Sequence, residues 1–209
     1  MLDLDDARLA ALKTVLEQSR HWGFLGPGPV EQHLRHALGY APALGTVSRV
    51  LDLGSGGGVP GLVLALVLPE TRFVLLDANV RRCAFLRSAV DHLALGERVE
   101  VAEGRAEDLA RAAGLRHSFD AVVARSFGPP ATVAECAAGF LKAGGFLLVS
   151  EPPEAQSSRW SATGLALLGL ALGERLEAEG GTLQVIRVTE PCGEKYPRRN
   201  GVPAKRPLF

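Results

Sequence analysis

Hydrophobic and polar positions follow two different periods along this chain. Residues 3–20 place Leu9, Leu12 and Leu16 among charged positions, with alanine and valine flanking them. This is the spacing of an amphipathic helix. Gly23, Gly26, Pro27, Gly28 and Pro29 interrupt it, and a helical pattern resumes over residues 30–38. From Val50 the period changes. Short apolar runs at 50–53, 71–77, 99–102, 119–124 and 144–150 read as strands, and helical patterns at 62–68, 79–95 and 132–141 lie between them. In the second of these helices Val80, Cys83, Leu86, Val90 and Leu93 share one face, leaving Arg81, Arg82 and Arg87 to water. Strands alternating with helices predict an α/β fold with a parallel, doubly wound sheet. Beyond Ser150, residues 160–172 read as a buried helix and 183–189 as a strand. The expected ending is a helix followed by a strand hairpin that closes the sheet antiparallel. The pattern divides the chain into a helical extension (1–45), a Rossmann-like domain (46–190) and a basic C-terminal arm (191–209).

The first strand leads into the segment richest in chemistry. Asp52 ends an apolar run, and Gly54, Gly56, Gly57, Gly58 and Gly61 supply five glycines in eight positions before the next helix. Glycine permits left-handed backbone and close approach of a ligand, and the N–H groups at the helix start are expected to face that ligand. Gly56-x-Gly58-x-x-Gly61 also satisfies the dinucleotide fingerprint, with Asp77 about twenty residues further on. Asp52 argues against a dinucleotide, because its carboxylate would face the pyrophosphate. A cofactor bearing a sulfonium and an ammonium group, S-adenosylmethionine, suits that carboxylate and carries no phosphate.

Charge and cysteine content narrow the setting. Lysine plus arginine number 23 and aspartate plus glutamate 23, so no global field draws the chain to nucleic acid or membrane. Any RNA contact is local. Cys83, Cys136 and Cys192 are odd in number, more than fifty residues apart and without metal-ligand spacing. They are expected to be reduced packing residues, with no metal site. The acidic start lacks the features of a signal peptide, and no apolar run is long enough to span a bilayer. A cytoplasmic monomer is expected.

Further candidates follow the strands. Asp77 ends the second strand, where a carboxylate accepts hydrogen bonds from vicinal ribose hydroxyls or caps the following helix. Residues 105–108 follow the third strand and either border an adenine or form a helical turn with acidic residues favoured by the dipole. Arg125 follows the fourth strand, a poor place for packing and a good one for a ligand. His33 and His36 lie one turn apart on the second helix and are expected to face solvent or RNA. The tail, residues 195–209, holds three prolines and five cations without an acid. It cannot form a long helix. A basic, extended arm with a stacking ring would suit phosphates and an unpaired base, with Arg198, Arg199, Lys205 and Arg206 as the RNA-binding set.

Taken together, Asp52-x-Gly54-x-Gly56-x-Gly58-Val59-Pro60-Gly61, Leu75-Leu76-Asp77, Arg105-Ala106-Glu107, Ala124-Arg125, Tyr196-Pro197-Arg198-Arg199 and Pro203-Ala204-Lys205 resemble the RsmG family, also called GidB. The resemblance implies a class I S-adenosylmethionine-dependent methyltransferase acting on N7 of a guanine in 16S ribosomal RNA, with the small ribosomal subunit as partner. It also implies that Gly54, Val59, Ala106, Glu107 and Arg125 contact the cofactor, with Asp77 on its ribose. Asp52, Gly56 and Gly58 complete the expected binding set.

Three segments depart from the family pattern. Gly23-Phe24-Leu25-Gly26 stands where members usually carry Asn-Leu-Thr. His33-Leu34-Arg35-His36-Ala37-Leu38 replaces His-x-x-Asp-Ser-Leu, and Glu151-Pro152 replaces Lys-Gly. All three are expected on the acceptor side. Guanine N7 has an in-plane lone pair and no proton to lose, so the reaction needs positioning rather than a general base. No catalytic dyad is expected, and Arg125 would lie near the acceptor. His36 and Glu151 would instead serve an acceptor that must be deprotonated, which leaves a diverged enzyme acting on a small molecule or another RNA as an alternative. A nucleotide-binding module without catalysis, or a nicotinamide enzyme, is the remaining alternative.

Overall fold

The computed structural model describes residues 5–152 and 159–209. Three helices come first: α1 (Asp6–His21), α2 (Val30–Leu38) and α3 (Ala41–Leu44). Strands and helices then alternate as β1 (Arg49–Leu53), α4 (Gly61–Val67), β2 (Arg72–Asp77), α5 (Val80–His92), β3 (Val99–Glu103), α6 (Ala106–Leu109), β4 (Phe119–Ala124), α7 (Pro130–Ala138) and β5 (Leu141–Glu151). The chain ends with α8 (Ala162–Ala166), β6 (Leu170–Ala178), β7 (Gly181–Val188) and α9 (Val202–Lys205).

The strands form one sheet in the order β3-β2-β1-β4-β5-β7-β6. Pairing is parallel from β3 to β5, and β7 joins β5 and β6 antiparallel, as the expected terminal hairpin requires. The central strands are apolar throughout because both faces are covered, and the period of two sends alternate residues to opposite sides. Val50, Phe73, Leu75, Val123 and Leu148 pack under α1, α2, α4 and α5, in the same cluster as Leu12, Leu34, Leu62 and Leu86. Leu51, Leu53, Leu76, Val122 and Leu147 share the other cluster with Val133, Leu165 and Tyr196. The strand order reverses between β1 and β4, which places a ligand crevice at their carboxyl ends. Among the described residues no helix is long and apolar enough to cross a membrane, and all three cysteines are buried and free.

The expected helix at 160–172 shrinks to α8. Gly169 turns left-handed at φ 68°, where a Cβ would lie 2.1 Å from the Glu190 carbonyl oxygen, and the chain then enters β6. The expected helix at 132–141 ends early because Leu141 pairs with Phe119 and begins an eleven-residue β5. Val80 is 64% exposed and leaves the predicted apolar face, since the buried residues of α5 begin at Cys83.

The larger correction concerns the tail, which does not form an extended arm. Tyr196 is buried, and Arg111 donates to the carbonyls of Glu194 and Pro197 while Arg116 donates to that of Tyr196. Thr132 Oγ1 donates to Pro203 O at 3.2 Å, and the Phe209 ring fills the space a Gly164 side chain would need. Carbonyls freed by the prolines would be costly to bury alone. Two arginines and a threonine satisfy them, and the tail is strapped to the α6–α7 side of the sheet.

Candidate cofactor and acceptor site

The carboxyl end of β1 runs straight into the glycine loop. Asp52 is 1% exposed, and its Oδ2 accepts the Gly61 amide at 2.9 Å. Gly61 has to be glycine, because a Cβ there would lie 2.4 Å from both Asp52 Oδ2 and Leu75 Cδ2. Asp77 Oδ2 accepts the Gly56 amide at 2.9 Å, and its Oδ1 accepts the Asn79 amide at 2.8 Å. Gly58 donates to Ser55 O at 2.8 Å. The expectation that these amides face a ligand is therefore corrected: Gly56, Gly58 and Gly61 are all committed within the protein. A pyrophosphate seated on this loop would need such donors. A phosphate-free ligand does not, so the loop fits S-adenosylmethionine better than a dinucleotide.

Asp52 consequently lies beneath the loop instead of lining the cavity as the sulfonium's contact. Burial is the main force pushing its carboxyl up to about 7; the Gly61 amide and the Ser55 hydroxyl pull the other way, and nearby Asp77 adds to the rise. Val59 is buried in the core cluster below the loop. A cavity of about 290 Å³ opens above it, lined among others by Gly54, Asp77, Ala106, Glu107, Phe127 and Ala204. Gly54 sits at φ 73°, where a Cβ would collide with the Phe127 ring at 2.5 Å. Asp77 retains lone pairs for ribose hydroxyls even after accepting two amides. Glu107 accepts the Gly201 amide at 2.9 Å, so the strapped tail closes this cavity from above.

Arg125, just beyond β4, belongs to a different kind of environment. Its Nη2 donates to His33 Nδ1, and His33 Nε2 lies 3.1 Å from Gly26 O. A guanidinium only donates and a carbonyl only accepts, so His33 must be neutral with its proton on Nε2. Burial lowers its pKa first and Arg125 second, against the pull of the Gly26 carbonyl. The expectation of a solvated His33 is corrected, since the ring is buried between α2 and Arg125. His36 sits one turn along, edge-on to Tyr40 at 5.7 Å. Burial, then Arg125 and His33, push His36 down to about 4. Among the described residues His36 Nδ1 and Arg125 Nη1 are buried without a partner. Tyr40 donates to Ala124 O at 3.0 Å, which ties α2 to the end of β4.

Next, Ser126 adopts φ 54°, a left-handed conformation that a serine holds only when its surroundings impose it. Together with Phe127 it forms a wall shared by the first cavity and a second one of about 250 Å³. The second cavity is bordered by Val149, Glu151, Arg159 and Trp160. Glu151 accepts from Arg159 Nη1 at 2.7 Å and Trp160 Nε1 at 2.8 Å.

The structure thus gathers Gly54, Asp77, Ala106 and Glu107 around one cavity, keeps Asp52, Gly56, Gly58 and Val59 out of its lining, and leaves Arg125 on the α2 side. The departing segment Gly23 to Gly26 lies against the glycine loop: Phe24 O and Leu25 approach Gly56 and Gly57, and Ser19 Oγ donates to Gly57 O. It supports the cofactor side, whereas the acceptor side was expected. Of the tail cations, Arg199, Lys205 and Arg206 are exposed. Arg198 is half-buried and bonded within the fold. Its guanidinium grips Glu135, which is 0% exposed, with bonds of 2.6–3.1 Å, and it also donates to Arg206 O. The sequence held a signal for this pair, a lone carboxylate in an otherwise alanine-rich helix. Nothing in it marked Ser126 and Phe127 as a dividing wall.

The model of the GidB family, described as rRNA small subunit methyltransferase G, matches residues 29–156. The chain belongs to this family. A ribosomal RNA small subunit methyltransferase G of Moorella thermoacetica is 36% identical over 168 residues, spanning 77% of this chain and 70% of that protein. One of Symbiobacterium thermophilum is 35% identical over 196 residues, 86% of this chain and 80% of that protein. Among solved structures, an O-methyltransferase from Bacillus cereus in complex with SAH superposes with a TM-score of 0.58 at 17% identity, covering 90% of this chain and 93% of that one. An O-methyltransferase family protein from Burkholderia thailandensis gives 0.60 at 20% identity, over 79% and 57%. These structures share the fold, and the GidB match extends from α2 across the glycine loop to the end of β5.

Proposed function

We propose that this chain transfers a methyl group from S-adenosylmethionine to N7 of a guanine in 16S ribosomal RNA, working in the cytoplasm as a monomer on the small ribosomal subunit. The family supports the reaction class. The observation that carries the reading is the pair of cavities sharing Ser126 and Phe127, one of them beside a loop whose Gly56, Gly58 and Gly61 amides are already bonded within the protein.

When bound, S-adenosylmethionine supplies an electrophilic methyl group on a sulfonium. Asp77 offers its remaining lone pairs to the ribose, Ala106 and Glu107 border the adenine, and Arg125, aimed by His33, takes up the negative end of the molecule. N7 of guanine has no proton to lose, so the reaction asks for no general base, and His33 is engaged through both ring nitrogens. Rate comes from alignment. Arg199, Lys205 and Arg206 are the exposed cations of the tail and the ones suited to the RNA backbone.

The test is methyl transfer from labelled S-adenosylmethionine to 30S subunits from cells lacking this gene, run beside a small-metabolite extract of the same cells. Label at a guanine N7 of the small-subunit RNA is the expected result. Label in the metabolite fraction alone would overturn the RNA reading while keeping the cofactor.

A further inference from the structure

We propose that Glu151 reads the Watson–Crick edge of the acceptor guanine and so turns N7 towards the cofactor. The proposal rests on the guanine reading above and adds the group that selects the base. Glu151 is the last residue of β5, and its side chain is 4% exposed. It nevertheless borders the second cavity, beside Arg159 and Trp160. Its two oxygens each accept one internal hydrogen bond, from Arg159 and from the indole N–H. These bonds fix the carboxylate in place and leave lone pairs on both oxygens. Arg159 keeps further N–H donors beside it.

The resulting pattern is a donor next to a double acceptor. Guanine presents the complement along one edge, with O6 accepting and N1–H and N2–H2 donating. Adenine offers a lone pair at N1 and a carbon-bound hydrogen at C2, and would set that lone pair against the carboxylate. Orientation follows from the shape of the purine. N7 lies on the side of the ring away from N1 and N2. A guanine held by Glu151 therefore presents N7 away from the carboxylate, in a cavity that shares Ser126 and Phe127 with the cofactor cavity. A buried carboxylate is costly unless it does something with its charge. Pairing to one arginine and one indole explains its retention in the fold, and base recognition explains why it borders a cavity.

A substrate cycle separates this role from a purely structural one. The readout is kcat/KM on 30S subunits reconstituted with 16S RNA carrying guanine or inosine at the methylated position, inosine lacking only the 2-amino group. Wild type should lose about tenfold on inosine, the scale of a hydrogen bond to a charged group. Glu151→Gln should lose at least as much on guanine and show no further loss on inosine, while Glu151→Asp, which keeps the carboxylate, should still discriminate. A scaffold role would leave the guanine-to-inosine ratio equal in wild type and Glu151→Gln, and that equality overturns the proposal. Absence of any inosine effect in wild type overturns it too, without recourse to a variant that has to fold. Absence of transfer to guanine by wild type would instead remove the function reading on which the proposal stands.

Discussion

The two halves of the crevice are built by different means. On the cofactor side, carboxylates and backbone amides satisfy one another before any ligand arrives: Asp52 with Gly61, Asp77 with Gly56 and Asn79, Glu107 with Gly201. Elsewhere in the crevice, long side chains from distant segments supply the contacts. His33 and His36 come from α2, Arg125 from beyond β4 and Glu151 from the end of β5, and the buried His36 Nδ1 and Arg125 Nη1 are left without a partner among the described residues. A side built from backbone is rigid and indifferent to most side-chain changes. A side built from side chains can change its specificity by substitution, and two of the three departures from the family pattern fall there.

The strongest way to break this contrast is Arg198→Ala. It takes the guanidinium from Glu135, which is 0% exposed and keeps the residue-198 amide at 2.7 Å, and loss of a partner to a buried charge costs up to about 3 kcal/mol. Urea unfolding should show that loss, whereas RNA affinity measured on the folded fraction should hold. If stability were unchanged and RNA binding fell, Arg198 would belong to the RNA surface after all. Gly61→Ala comes next. Its Cβ overpacks the floor between Asp52 and Leu75 at about 1–3 kcal/mol, and isothermal titration should find S-adenosylmethionine binding lost or severely weakened. Around Arg125, His33→Ala should leave global stability closer to wild type and weaken cofactor binding by about tenfold, the scale of one hydrogen bond to a charged group. Unchanged affinity would mean that Arg125 needs no anchor.

The two sides also carry opposite pH signatures. Asp52 has a folded pKa raised to about 7, so the folded state holds this proton more tightly than the unfolded chain does. Its contribution is greatest below about pH 4 and is lost as pH rises through 7. His36, lowered to about 4, contributes above about pH 6.5 and loses that contribution as pH falls towards 4. The two oppose each other in mildly acid solution, and Asp52 alone acts between about pH 6.5 and 8. Apo wild type should therefore have a lower Tm at pH 8 than at pH 6.5, and Asp52→Asn should remove that drop. A parallel decline in the variant would assign the slope to another group. The smallest effect is expected for Arg199→Ala, an exposed cation. Stability should stay within about 0.5 kcal/mol, while RNA binding weakens and its salt slope falls by about one.

Much of the cofactor side was legible because it is local. Asp52, the glycines and Gly61 act within ten residues of one another, and a strand that must be buried on both faces announces itself by its composition. Tail cations were legible as charges but not as free charges, since Arg198 and Glu135 lie 63 positions apart and only packing brings them together. His33 illustrates the same limit. Its pattern of one turn from His36 suggested a wet face, yet its two partners, Gly26 and Arg125, lie on either side of it in sequence, the second 92 positions away.

The sequence by itself determined the order of strands and helices, the glycine loop with its flanking carboxylates and the kind of cofactor they suit, because periodicity and steric need are properties of neighbouring residues. The tertiary structure alone decided which amides remained for a ligand, which tail arginine was spent within the fold, which tautomer His33 holds and where Ser126 and Phe127 divide the crevice. Those outcomes depend on burial and on partners remote along the chain, and hydrogen-bond satisfaction in a closed interior is settled only when all the partners are in place.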